Sequence, residues 1–185
     1  DKFSVRPRIV AVTGSNGKST TASLLHHIFL KLGYKSQLAG NIGRGVLDID
    51  PPENNELLVL ELSSYQIEVA RILSPDLAIF TNFSADHLER HGGIGGYLAA
   101  KRRLFTEGCP DYSIIGVDEL AGLNLAQQLS ASIGDDSIIR VSATKQIRRF
   151  DWSIFRDGSY LVEHRKGKQI NSTDLRIFDN FDGLH

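Results

Sequence analysis

Short apolar runs alternate with longer stretches of helical periodicity along most of the chain. Four runs rich in β-branched and other apolar residues predict buried strands, and they cover Arg8 to Thr13, Leu57 to Leu62, Leu77 to Phe80 and Ser113 to Val117. Helices are predicted between the strands, by apolar residues at helical spacing, at Leu24 to Leu32 with Gly33 as a stop, Gln66 to Leu73, Gly96 to Phe105 and Ala121 to Leu129. This alternation favours right-handed crossovers and an α/β fold, a mostly parallel sheet with helices on both faces.

The pattern changes near the end of the chain. From Asp151 onward, short polar–apolar alternations are separated by Asp157-Gly158 and Lys166-Gly167. Glycine-containing pairs between alternating runs are typical of β-hairpins. We therefore expect a small antiparallel sheet near the C-terminus, within a single unit spanning residues 1–185.

Composition narrows the possible classes of partner. The 21 Lys and Arg residues nearly balance the 22 Asp and Glu residues, so the formal net charge is −1 and favours neither nucleic acid nor a membrane surface as a partner. No apolar run approaches the length of a membrane span, and we expect no secretory leader. The single cysteine, Cys109, favours a reducing, cytoplasmic compartment. The chain contains no methionine, so we expect that its natural start is missing.

A glycine-rich segment provides the strongest chemical signal. Gly14-Ser15-Asn16-Gly17-Lys18-Ser19-Thr20 lies directly between a predicted buried strand and a predicted helix. Such a loop can bring several backbone N–H donors close to a polyphosphate, with Lys18 on the β- and γ-phosphates and a hydroxyl of Ser19 or Thr20 on Mg²⁺. Val12 occupies the place of the first glycine in the usual form of this motif. A turn that merely caps a helix is the alternative, but this order of strand, Gly-Lys-Ser-Thr and helix favours nucleotide binding.

Other polar residues also follow predicted strands. Glu61 ends one strand and could hold a metal or be an ordinary polar terminus, and the nearby phosphate loop favours the metal. Asp86-His87 follows the next strand, a position that suits a site for a metal and an anionic substrate. A polar surface turn is the alternative for that segment. The loop containing Asn41 could bind substrate or simply turn the chain. From the residues alone, Lys101 and its two arginine neighbours are best interpreted as a solvated helix face.

Together these segments resemble the Mur ligase family, ATP-dependent amide-forming enzymes of bacterial peptidoglycan synthesis. The family's loop is G-x-x-G-K-[ST], which accounts for Val12. The resemblance is carried by the loop, by Ala39 to Gly43, Glu61 to Glu68, Asn82 to Gly92 and Ala100-Lys101, and by Gly183-Leu184-His185, which resembles the start of the family's G-x-H-N stretch. Within the family, three of these segments are similar to the branch that joins D-glutamate to UDP-N-acetylmuramoyl-L-alanine.

The resemblance implies a role for each matching residue. Gly14, Ser15, Asn16, Gly17, Lys18, Ser19 and Thr20 would hold the ATP phosphates. Ser19 and Glu61 would bind one Mg²⁺, while Glu61, His87 and a carbamylated Lys101 would bind a second. Asn41, Ser63, Gln66 and His87 would meet the UDP-muramoyl substrate, and Lys18, His87 and Lys101 would be the catalytic residues.

The resemblance also implies how the reaction is organised. ATP would convert the substrate carboxylate into an acyl phosphate, which the amine of D-glutamate would attack. The chain would be the central ATP-binding domain of a monomeric enzyme, without the preceding UDP-substrate domain and the following amino-acid-binding domain, and inactive as a ligase by itself.

Two alternatives remain open. One is another ligase of the superfamily, such as a folylpolyglutamate synthetase or a different Mur ligase. The other is a nucleotide-dependent binding module without ligase chemistry. A guanine-binding switch needs an Asn/Thr-Lys-x-Asp element, and the nearest candidate, Thr144 to Ile147, lacks the aspartate.

Overall fold

The computed structural model describes residues 7–84 and 93–178. The chain divides into two compact units, Asp1–Asp111 and Tyr112–His185. Within the described residues, no helix combines the length and apolar character needed to cross a lipid bilayer.

The first unit is built around parallel strands. Its elements are, in chain order, β1 (Arg8–Thr13), α1 (Lys18–Lys31), β2 (Ser36–Gly40), β3 (Leu57–Glu61), α2 (Ser64–Val69), β4 (Leu77–Phe80) and α3 (Ile94–Thr106). The strands lie in the order β2-β3-β1-β4 and every pair is parallel. Because Val12 of β1 is level with Glu61 of β3 and with Ile79 of β4, the carboxyl ends of these strands meet at one edge of the sheet.

Burial explains why the strand sequences are apolar throughout. Consecutive residues of β1, Val10, Ala11 and Val12, are at most 5% exposed, so both faces of this strand are covered, as in other parallel sheets. Helix α3 packs on β4 through an edge-to-face contact of Phe105 with Phe80, whose ring centroids are 6.3 Å apart. The parallel sheet predicted from the strand–helix alternation is therefore confirmed.

The predicted stop of α1 at Gly33 is also confirmed. Gly33 has φ +84°, its N–H donates to the carbonyl of Leu30 at 3.1 Å, and the N–H of Tyr34 donates to the carbonyl of Phe29 at 3.0 Å. This pair of bonds is the Schellman motif, in which a left-handed residue satisfies the last carbonyls of a helix. The apolar residues of α1 are less buried than their periodicity indicates, because Leu24, Ile28 and Leu32 are all at least 40% exposed.

The second unit combines parallel and antiparallel strands. Its elements are β5 (Tyr112–Gly116), α4 (Leu120–Ile133), β6 (Ile138–Ser142), β7 (Trp152–Asp157), β8 (Tyr160–Arg165), β9 (Lys168–Asp174) and a 3-10 turn (Leu175–Phe178). Strands β5, β6 and β7 are parallel neighbours, whereas β7, β8 and β9 are antiparallel neighbours. The antiparallel pairing predicted near the C-terminus is confirmed, and β7 joins it directly to the parallel strands. The second hairpin turns at the predicted Lys166-Gly167, whose φ angles (50° and 75°) are those of a type I′ turn. The first hairpin turns one position later than predicted, at Gly158-Ser159, because Asp157 still pairs with Tyr160.

Asp118 holds the loop that follows β6 in place through hydrogen bonds. Its carboxylate accepts hydrogen bonds from the Ser142 hydroxyl at 2.5 Å, from the Thr144 hydroxyl at 2.6 Å and from the Ala143 N–H at 2.8 Å. Burial alone would raise the pKa of Asp118, but these hydrogen bonds together outweigh it and hold the pKa below its ordinary value of 3.8.

We expect Asp118→Ala to lower the free energy of unfolding by about 2 kcal/mol at neutral pH, because several donors lose a charged acceptor. Since the folded-state pKa is depressed, this stabilisation is complete above the unfolded-state pKa and disappears as the pH falls through the folded-state value. Urea unfolding at pH 7 and at pH 3 checks both statements. Asp136→Ala is the control, because its exposed ion pair with Lys166 contributes little; equal losses in the two variants would contradict the prediction.

Candidate functional site

The loops that follow β1, β3 and β4 lie at the carboxyl edge of the sheet in the first unit. This edge is where parallel sheets bind ligands, since the loops converge there and the helix N-termini point toward it. The sequence-predicted residues lie at this edge. Gly14 to Gly17 form the loop after β1, Lys18 to Thr20 begin α1, Glu61 ends β3, and Asn41 follows β2.

The glycine-rich loop is held in place by residues after β4. The N–H of Ser15 donates to the carbonyl of Asn82 at 2.9 Å, and the N–H of Asn16 donates to the side-chain oxygen of Asn82 at 2.9 Å. The Thr81 hydroxyl donates to the carbonyl of Asn16 at 2.7 Å. Gly14 (φ +140°) is required here, because a Cβ on it would lie 2.0 Å from the Thr81 hydroxyl oxygen. The loop is therefore preorganised by the protein itself.

Helix α1 starts immediately after this loop without a side-chain cap. Its N-cap residue is Gly17 (φ +75°), and the first turn contains no acidic residue. The N–H groups of that turn and the positive end of the helix dipole are thus left to favour an anion. Lys18 Nζ lies across the loop and donates to the carbonyl of Ser15 at 2.7 Å, so it adds a positive charge at the same place.

Ser19 and Glu61 form a pair of oxygen donors beside the loop. The Ser19 hydroxyl donates to Glu61 Oε2 at 3.0 Å, and Glu61 is only 1% exposed although it carries a carboxylate. Within the described residues, no group of three or more His, Cys, Asp and Glu side chains could enclose a metal ion. A hydroxyl and one carboxylate nevertheless fit Mg²⁺, which usually takes few protein oxygens and completes its shell with phosphate and water. Thr20, next to Ser19, is exposed.

Lys101 is buried against the same loop. It is 1% exposed, and its Nζ donates to the carbonyl of Gly14 at 2.8 Å. Burial, with a smaller contribution from the charge of Lys18, lowers the pKa of Lys101 to about 8. The interpretation of this lysine as part of a solvated helix face is therefore wrong, because the side chain points from α3 into the site while its neighbour Arg102 is exposed.

The sequence did not identify Tyr97, which lies one turn before Lys101 on α3. Tyr97 is 3% exposed, its ring centroid is 4.4 Å from Lys101 Nζ, and its hydroxyl is 3.5 Å from the Ser15 hydroxyl. An aromatic face stabilises a neighbouring cation, so Tyr97 positions both the lysine and the loop. Only the i, i+4 spacing of the two residues could have indicated this contact.

We expect Tyr97→Leu to lower the free energy of unfolding by about 2 kcal/mol, because it removes a buried ring and its contact with Lys101. Tyr97→Phe keeps the ring and should lose less than half as much. Urea denaturation followed by circular dichroism measures both, with Tyr34→Leu as a control at an exposed tyrosine. A loss in the Phe variant as large as in the Leu variant would show that the hydroxyl, rather than the ring, carries the effect.

The remaining predicted residues have local roles that the structure makes visible. The N–H of Asn41 donates to the carbonyl of Glu61 at 3.0 Å, which brings the ends of β2 and β3 together, and the Asn41 side chain is exposed. Ser63 is the N-cap of α2: its hydroxyl accepts from the Gln66 N–H at 3.3 Å, and its own N–H donates to Gln66 Oε1 at 2.9 Å. These two side chains form a capping box. Asp86-His87 and Gly183 to His185 lie outside the described residues.

Comparison with known proteins places this geometry in context. Residues 12–178 match the family model described as Mur ligase middle domain. The chain is 58% identical over 185 residues to the UDP-N-acetylmuramoylalanine--D-glutamate ligases of Cereibacter sphaeroides strain ATCC 17029 and of Ruegeria pomeroyi. Each match covers 100% of this chain and 40% of the relative. The chain thus spans less than half the length of these curated relatives. Among solved structures, E. coli FolC in complex with DHPP and ADP has a similar fold, with a TM-score of 0.57, 15% identity and coverage of 91% of this chain and 49% of that one.

Proposed function

Because the chain belongs to the Mur ligase family, we propose that it forms the ATP-binding part of an enzyme that joins D-glutamate to UDP-N-acetylmuramoyl-L-alanine. The observation that carries the proposal is the preorganised loop between β1 and α1, with Lys18 across it and the Ser19–Glu61 pair beside it. The 58% identity to ligases of that name over the whole chain supports the choice of substrates. Alone, the chain would bind ATP without forming an amide bond.

Each residue of the loop has a defined task in this proposal. The backbone of Gly14 to Lys18 and the N-terminus of α1 bind the phosphates, and Lys18 leaves the carbonyl of Ser15 to contact the transferred group. Ser19 and Glu61 would hold Mg²⁺, with Thr20 adjacent. When bound, the metal would offset the repulsion between the substrate carboxylate and the γ-phosphate.

The reaction consists of two successive nucleophilic displacements. A carboxylate oxygen of the muramoyl substrate attacks the γ-phosphorus of ATP, the bond to the bridging oxygen breaks, and ADP leaves. The amine of D-glutamate then attacks the acyl carbon, a proton is lost from nitrogen, and inorganic phosphate leaves. Lys18 stabilises the negative charge on the transferred group in the first step.

Lys101 would help to bind a second metal ion. The neutral amine is the form of lysine that adds to CO₂, and a pKa lowered to about 8 makes that form accessible near neutral pH. A carbamylated Lys101 would supply carboxylate-like oxygens next to the loop, and with Glu61 and His87 it would bind the second Mg²⁺.

We further propose that the UDP-muramoyl substrate is contacted by Asn41, Ser63, Gln66 and His87. We also propose that the protein acts in the cytoplasm, because an exposed free thiol such as Cys109 stays reduced there.

A chimera tests the proposal directly. In it, the chain replaces the matching 40% of the Cereibacter sphaeroides relative, and phosphate release from ATP is measured with UDP-N-acetylmuramoyl-L-alanine plus D-glutamate. We expect release only when both are present, at a rate within about tenfold of the unaltered relative. A chimera that binds ATP but responds instead to a folate or to a longer muramoyl peptide would contradict the assigned substrates. A chimera with Lys18→Ala is the matched control.

A further inference from the structure

Three buried polar side chains form a row across β6, β7 and β8 of the second unit, away from any residue assigned above. Arg140 is the register partner of Ser153 in the parallel pair, and Ser153 is the register partner of His164 in the antiparallel pair. The three residues are 2%, 0% and 8% exposed. Register partners on one face of a sheet have their Cβ atoms about 5 Å apart, so the side chains are lateral neighbours.

Each member of the row has an unsatisfied polar atom. Arg140 Nη2 donates to Asp135 Oδ1 at 2.6 Å. Among the described residues, however, no hydrogen-bond partner is available to Arg140 Nε or Nη1, to the Ser153 hydroxyl or to His164 Nδ1. A buried polar atom without a partner destabilises the folded state. Unsatisfied atoms on three register partners therefore point to one shared partner.

Aromatic side chains enclose the row. The guanidinium of Arg140 lies 4.6 Å from the ring centroid of Phe150, in the loop between β6 and β7. The imidazole of His164 lies 5.4 Å from the fully buried Phe155 ring, centroid to centroid. Ile147 of the same loop is also buried. Aromatic rings therefore border both ends of the row, which favours a small partner.

We propose that Arg140, Ser153 and His164 bind one internal water molecule. Water can accept from the guanidinium, exchange a hydrogen bond with the hydroxyl, and either donate to or accept from the imidazole nitrogen, which gives it the two to four partners that buried water requires. A neutral guest fits better than an anion, because the Asp135 carboxylate already balances the Arg140 charge and a further buried charge would have no counterion. The water connects the three strands at the point where the parallel part of the sheet meets the antiparallel part.

A crystal structure of the chain at about 1.5 Å resolution, with one crystal soaked in bromide, tests this site. We expect one well-ordered peak within hydrogen-bond distance of Arg140, Ser153 and His164, with no anomalous bromide signal. A bromide peak at that position would show an anion site and would overturn the proposal. So would an empty row, or side chains that bond directly to one another.

Oxygen-17 relaxation dispersion, which counts long-lived internal waters, tests the same site in solution. Ser153→Val fills the place of the guest with methyl groups and should reduce the count by one, whereas Ser172→Val, at an exposed serine of β9, should leave it unchanged. An unchanged count in a folded Ser153→Val protein would overturn the proposal. If that variant does not fold, the electron density of the unaltered protein decides.

Discussion

Replacing Lys18 with alanine is expected to weaken the binding of ATP and Mg²⁺ to this chain by about 100-fold or more. The loop and the N-terminus of α1 supply partial positive charges, but Lys18 supplies a full charge, and a charge-assisted contact with phosphate contributes about 2–3 kcal/mol. Its Nζ already lies within the loop, 2.7 Å from the carbonyl of Ser15, so little reorganisation is needed before it meets a ligand. Isothermal titration calorimetry on the two proteins measures the difference.

The loss should be specific to this lysine. Lys31→Ala removes the same charge from the exposed C-terminal end of the same helix and should change the affinity less than twofold. The far-ultraviolet circular dichroism of both variants should match that of the unaltered chain. Comparable affinity in the Lys18→Ala protein, or near-normal phosphate release from the corresponding chimera, would remove the basis for assigning this loop to the phosphates.

The first unit was largely predictable because its signals are local. A parallel strand buried on both faces is a continuous apolar run, so β1 and β3 stand out in the sequence, and the residues that follow such strands are brought to one edge of the sheet by topology alone. The phosphate loop and Glu61 could be placed in one site for this reason. The exposed stripe of α1 could not be foreseen, because periodicity shows which residues share a face and not what covers that face.

The residues that the hydrophobic pattern alone misplaced are those whose surroundings come from distant parts of the chain. Lys101 is separated from the carbonyl of Gly14 by 87 positions, and in isolation a lysine beside two arginines is typical of a solvated surface. Strand β6 was not predicted, because Arg140 interrupts its apolar run. The burial of the Arg140 side chain depends on Asp135 and on Phe150 from the following loop. In both cases a basic side chain can be buried because tertiary partners offset the cost of removing it from water. Such partners leave no periodic pattern in the sequence.

Gly40→Ala should be the most damaging single change in the first unit, with an expected loss of at least about 3 kcal/mol in the free energy of unfolding. Gly40 ends β2 with φ +120°, and a Cβ there would lie 2.0 Å from the carbonyl oxygen of its register partner, Glu61. Because that neighbour is backbone in the central strand β3, it cannot rotate away as a flexible side chain could. Relief of the clash requires β2 to separate from β3, which breaks the hydrogen bond from the Asn41 N–H to the Glu61 carbonyl.

Gly33→Ala separates this clash from the effect of a positive φ alone. Gly33 has φ +84° but no atom within 4 Å of a Cβ, so its substitution should lower the free energy of unfolding by only about 1 kcal/mol. Urea denaturation compares the two variants, and titration of ATP with and without Mg²⁺ extends the comparison to the site. A displaced Glu61 would no longer accept the Ser19 hydroxyl in its present geometry, so any Gly40→Ala protein that still folds should lose the Mg²⁺ dependence of ATP binding, whereas Gly33→Ala should keep it. If both variants kept that dependence while Gly40→Ala was strongly destabilised, β2 would support the fold without positioning the metal ligand.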